Sequence, residues 1–120
     1  MEYSSRFIES YVHNNGIGVL VELGISDSVA VRSEAFGRLA KDLALQIAAM
    51  APASVEELLE HPFVKDPGIT VSQQITRTAD ELREKIGVLR FVRWVADSGD
   101  SLQPEPPRSP ALIYRLGNAR

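Results

Sequence analysis

The stretch Ile17-Gly18-Val19-Leu20-Val21-Glu22-Leu23 reads as a β-strand that is apolar on both faces. Successive side chains of a strand point to opposite sides, so Val19, Val21 and Leu23 share one face and Leu20 takes the other. Upstream, Arg6 to His13 alternates in the same way, with Phe7, Tyr11 and His13 on one side and Ile8 and Val12 on the other. Between the two lies Asn14-Asn15-Gly16, whose residue types tolerate the positive φ of a tight turn. The pair is therefore an antiparallel hairpin.

Downstream, Gly24 to Arg32 is polar and is expected to be a loop, with Ser33 as the N-cap of a following helix. From Ala35 to Met50, Phe36, Leu39, Ala40, Leu43 and Ile47 fall on one helical stripe, and Pro52 stops the run. Ser54 and Glu57 have capping-box spacing ahead of a short helix over Val55 to Glu60. His61 to Gly68 is a rigid connection, with two prolines around an apolar Phe63. Thr70 and Gln73 repeat the capping pattern. Val71, Ile75, Ala79, Leu82 and Ile86 then keep helical spacing up to Gly87, a C-terminal stop. Val88 to Val95 reads as a third strand. A Pro-rich tail over 98–120 follows the domain at 1–97; within it Ala111 to Leu116 is open to either role, an added strand or an unpaired end.

The 120 residues fit one domain, and 44% hydrophobic content suits a globular chain. With 13 Lys plus Arg against 16 Asp plus Glu, the formal charge is -3, which argues against nucleic acid as a partner. Cysteine is absent, so disulfides, thiol catalysis and thiolate metal sites are excluded. The first residues lack a signal core, and no run approaches the roughly 20 apolar residues of a membrane helix. A cytoplasmic protein with no membrane contact is expected.

No catalytic group emerges. Gly16-Ile17-Gly18 hints at a phosphate loop, but the next glycine position is Val21 and a strand follows where a helix is required. His13 and His61 have no companion at ligand spacing, so no metal is expected, and no cofactor either. Acid pairs such as Glu56-Glu57 and Asp80-Glu81 suit solvated helix faces. On the third strand Arg90, Val92 and Trp94 share one face, Phe91 and Arg93 the other. An aromatic beside arginine suits base stacking, yet the glycines of an RNA-recognition signature are missing.

The sheet argument points to a protein partner. The helices can cover one face of three strands, and an apolar patch left open is normally an interface. A homodimer made by stacking two such sheets about 10 Å apart satisfies it. Val19, Val21, Phe91 and Arg93 are assigned to that interface.

Four segments, in order, resemble the elongation factor Ts family. Tyr11 to Leu23 is similar to the hairpin opening its dimerisation domain, and Leu39-Ala40-Lys41-Asp42-Leu43-Ala44-Leu45-Gln46-Ile47-Ala48-Ala49-Met50 looks like its signature helix. His61-Pro62-Phe63-Val64-Lys65-Asp66-Pro67 with Thr70-Val71, then Arg90-Phe91-Val92-Arg93-Trp94, complete the pattern. The resemblance spans Arg6 to Val95. It implies a domain that binds elongation factor Tu and promotes release of GDP. The family carries a Thr-Asp-Phe-Val motif after the hairpin, whose Asp-Phe pair enters the partner near its phosphate and magnesium site. The aligned residues here are Ser26, Asp27, Ser28 and Val29, with Ser28 in place of Phe. The family's helical insertion is reduced to Ala51 through Glu60, and its N-terminal docking module is expected to be missing or supplied by another chain.

The fold expected is α+β, of order β-β-α-(short α)-α-β, with a three-stranded antiparallel sheet and helices on one face. The function expected is binding of elongation factor Tu without enzymatic chemistry, with guanine-nucleotide exchange weak or lost. The alternative is a homodimeric structural module outside translation, using the tail with Ile113 and Tyr114.

Overall fold

A computed structural model describes residues 3–96 of the chain; the expectations for the Pro-rich tail, Ile113 and Tyr114 lie outside the described residues. The hairpin forms as the sequence dictates. Strand β1 (Ser5–His13) pairs antiparallel with β2 (Ile17–Ile25), in a register that sets Ile8 opposite Glu22, Ser10 opposite Leu20 and Val12 opposite Gly18. Asn14 and Asn15 sit at φ 51° and 59°, and the Gly16 amide donates to His13 O at 2.9 Å, closing the turn.

Helix α1 (Glu34–Met50) starts where Ser33 accepts from the Phe36 amide at 3.1 Å and ends at Ala51 in the left-handed region. The short α2 (Val55–Glu60) is capped by Ser54. Helix α3 (Val71–Leu82) begins with a complete capping box between Thr70 and Gln73. Strand β5 (Ile86–Val95) lies on the other side of β2, giving the antiparallel order β1-β2-β5 with a bulge at Glu22/Leu23.

Three local expectations are revised. Helix α3 ends at Leu82, because Arg83 adopts φ 58° and turns the chain; Ile86 is the first residue of β5, opposite Ile25. The supposed polar loop holds a 3-10 turn over Ser28–Arg32. The His61 to Gly68 connection contains a small hairpin, β3 (Pro62–Phe63) with β4 (Asp66–Thr70). Gln46 on α1 ties that hairpin down. Its side chain is fully buried, donates to Pro62 O at 3.0 Å and accepts from the Val64 amide at 2.9 Å. Both ends of a buried amide are thus satisfied, which removes the desolvation penalty it would otherwise carry.

The core lies between the sheet and the helices. Val19, Val21, Leu23 and Ile25 of β2 pack on Phe36, Leu39, Leu43 and Ile47 of α1, with Leu58, Phe63, Val71 and Ile75 closing the flank. Phe7 meets the edge of Phe36 at 5.4 Å, seating α1 on β1 as well. The helices occupy one face of the sheet only.

Candidate functional site: an open sheet face and a pinned loop

The uncovered side of the sheet is a three-row lattice: Ile8–Glu22–Arg90, Ser10–Leu20–Val92 and Val12–Gly18–Trp94. Trp94 is 70% exposed, Val12 62% and Ile8 56%, and Leu20 and Val92 are exposed beside them. The polar spot among these residues is internally matched. Glu22 accepts from Arg90 Nε at 2.7 Å and has Arg6 at 3.9 Å on its other oxygen. Tyr3 closes one end of the face by lying over Gly24 and Gly87, which oppose each other on β2 and β5. A Cβ at Gly24 would stand 2.6 Å from the Tyr3 ring, so a side chain there would evict the tyrosine.

The interface assignment of Val19, Val21, Phe91 and Arg93 needs correction, because these residues occupy the helix-covered face. Val19 and Val21 are core, and Phe91 packs against that core. Arg93 reaches under the sheet and donates from Nε and Nη2 to Ala48 O at 3.2 and 3.0 Å, near the C-terminal end of α1. A cation there meets the partial negative charge of the helix end and satisfies a carbonyl left over by the last turn. The strand alternation had grouped these residues correctly; the helices sit on the side where the apolar groups are larger and more numerous. An Arg93→Met variant is expected to lose about 1–2 kcal/mol of stability in urea unfolding. Its sedimentation is expected to match the wild type, since Arg93 does not belong to the open face.

The loop singled out from the sequence leaves β2 at the end nearest Tyr3. Ser26, Asp27, Ser28 and Val29 are brought together there, and Val29 is 71% exposed. Asp27 serves as N-cap of the 3-10 turn, accepting from the Val29 amide at 3.0 Å. Ser26 is held on every polar atom. Its amide donates to Lys85 O at 3.0 Å, its carbonyl accepts from Ser4 Oγ at 2.7 Å, and its hydroxyl donates to Glu84 and accepts from the Lys85 amide. Sequence reading missed Glu84 and Lys85, since nothing local marks a residue as the partner of one 58 positions away. Among the described residues, no three His, Asp or Glu side chains gather to hold a metal, and no helix is long and apolar enough to cross a membrane.

A half-covered sheet with a hydrogen-bonded loop at one end defines a small α+β module with two accessible surfaces. The profile of the family described as Elongation factor TS matches residues 1–59, which contain the hairpin, the 26–29 loop and α1. Among curated relatives named Elongation factor Ts, that of Heliobacterium modesticaldum is 29% identical over 138 residues, covering 77% of this chain and 64% of the relative. Desulforamulus reducens gives 31% over 138 residues with the same coverage, and Nostoc punctiforme 39% over 93 residues, 77% of this chain and 29% of the relative. The chain belongs to the elongation factor Ts family. It spans less than two thirds of the length of these relatives. In the 138-position alignments, 77% of 120 residues is about 92, so about 46 positions fall opposite gaps in this chain.

Proposed function

We propose that this chain binds elongation factor Tu through the loop carrying Asp27, Ser28 and Val29, acts without enzymatic chemistry of its own, and has weak or lost guanine-nucleotide exchange. One observation carries the reading: Asp27, Ser28 and Val29, aligned with the family's exchange motif, are exposed on a capped 3-10 turn, with Val29 facing solvent. Family membership supplies the class of partner, and the position of Ser28 supplies the limit on activity. A Phe side chain buried in a partner pocket contributes roughly 1.5–3 kcal/mol, which serine cannot replace. We further propose that the open face pairs with a second copy of the chain, through Ile8, Leu20, Val92 and Trp94.

The test is release of labelled GDP from elongation factor Tu, with binding measured in parallel. The native protein is expected to bind weakly and release little nucleotide. Ser28→Phe is expected to raise affinity by about tenfold to a hundredfold, at about 1.4 kcal/mol per decade, and to bring measurable GDP release with it. Failure of both proteins to bind would exclude this function and favour a homodimeric scaffold outside translation. Location in the cytoplasm, where that partner works, follows from the same reading.

A further inference from the structure

The partner loop has a fixed end and a presenting end, and the fixed end is held by residues outside the loop. We propose that Glu84 is a positioning residue for this loop. Its carboxylate locks the Ser26 hydroxyl, so that Asp27, Ser28 and Val29 are presented as one rigid unit. The inference rests on the partner-binding reading for its consequence in affinity, though not for the clamp itself.

The geometry is specific. Ser26 Oγ donates to Glu84 Oε1 at 2.5 Å and accepts from the Lys85 amide at 2.8 Å. The Ser26 amide returns a bond to Lys85 O at 3.0 Å. These bonds join the end of β2 to the turn between α3 and β5, beside an open cleft lined by Ser26, Ala79, Asp80, Arg83, Glu84 and Lys85. That turn is itself fixed. Arg83 takes the left-handed conformation, its amide donates to Asp80 O at 3.2 Å, and the Glu84 amide donates to Ala79 O at 3.0 Å. Glu84 therefore projects from an anchored backbone, which is what a clamp requires.

Beyond Ser26, the loop supports itself. Asp27 caps the 3-10 turn through Val29, the Ala30 amide donates to Asp27 O, and the Ser33 amide donates to Ala30 O. None of these bonds involves the side chain at position 28. A hydroxyl at position 26 is enough for the clamp, and serine provides it where the resemblance has threonine. The shape of the loop is thus maintained by groups other than the side chain at position 28. A partner paying no ordering cost for the loop binds more tightly than one that must freeze it.

The experiment compares Glu84→Ala and Glu84→Gln in the full chain, each with and without Ser28→Phe. Amide hydrogen exchange is followed over residues 26–33, with the β2 amides as internal control. Glu84→Ala is expected to speed exchange in 26–33 about tenfold while the β2 amides stay unchanged, and Glu84→Gln, which keeps an acceptor oxygen, is expected to restore it. In the Ser28→Phe background, Glu84→Ala is expected to weaken binding to elongation factor Tu about tenfold with an unchanged Tm. Unaltered exchange in 26–33 overturns the clamp. Faster exchange with unaltered affinity overturns the positioning role. If Ser28→Phe does not bind at all, the partner assignment falls, and the exchange data alone decide whether Glu84 holds the loop.

Discussion

A Leu20→Glu protein is expected to be monomeric at every concentration that sedimentation can reach, whereas the native chain, if the proposed pairing holds, is expected to sediment as a dimer at micromolar concentration. Leu20 sits in the central row of the open face, between Ser10 and Val92. In a two-fold pair of stacked sheets the same residue enters from both copies, so each substitution counts twice. An uncompensated charge buried at such a contact costs about 3–5 kcal/mol. Two of them raise the dissociation constant by more than about four decades at 1.4 kcal/mol each. The fold of the single chain is not at stake, because Leu20 is 44% exposed there. Trp94 is the sole tryptophan, so its emission gives a second readout: blue-shifted in the native pair, red-shifted in the variant. A native protein that sediments as a monomer, or a variant that still pairs, would remove the open face from the interface.

Phe36→Ala attacks the other side of the same sheet. The ring is fully buried at the first turn of α1 and meets Phe7 edge-on, with an interplanar angle of 77°. Truncating a buried Phe costs about 3–5 kcal/mol, cavity included. Against a total stability of about 5–15 kcal/mol for a domain of this size, that is a large share. The expected result in thermal unfolding is a Tm lower by more than about 10 °C. A loss below about 1 kcal/mol would mean that α1 is not seated on β1 through this ring.

The two variants mark out what the sequence could and could not disclose. Strand period, turn residues and caps are local, so the hairpin, α1 and the Thr70–Gln73 box were legible directly. Which residues share a sheet face was legible too, and alternation put Val19 with Val21 and Phe91 with Arg93. Which of the two faces the helices take was not, because alternation carries no sign; the four residues assigned to an interface therefore lie on the covered side. The end of α3 was misplaced for a related reason. Leu82 and Ile86 keep helical spacing, but Ile86 is spent on the strand opposite Ile25, and Arg83 breaks the helix without the glycine that usually announces a stop. Gln46, Glu84 and Lys85 act through bonds to residues 16 to 59 positions away, and no local pattern encodes those. The 26–29 loop was found through likeness to the family; the hydrogen bonds that hold it, to Glu84, Lys85 and Ser4, link residues far apart in sequence and were not legible.

Tyr3, lying across Gly24 and Gly87, fixes where the molecule can be handled. It holds the start of β1 at the same pole as the 26–29 loop, and Ser4 bonds directly to Ser26. The backbone leaves β5 beside Ile17, at the opposite pole, about 30 Å away along a strand of nine residues. A fluorophore or surface tether joined ahead of Tyr3 would crowd the loop and dull any partner measurement. One carried on the exposed Asn15, in the hairpin turn at that opposite pole, would leave the loop clear, so the choice of attachment site alone can decide whether an interaction is seen.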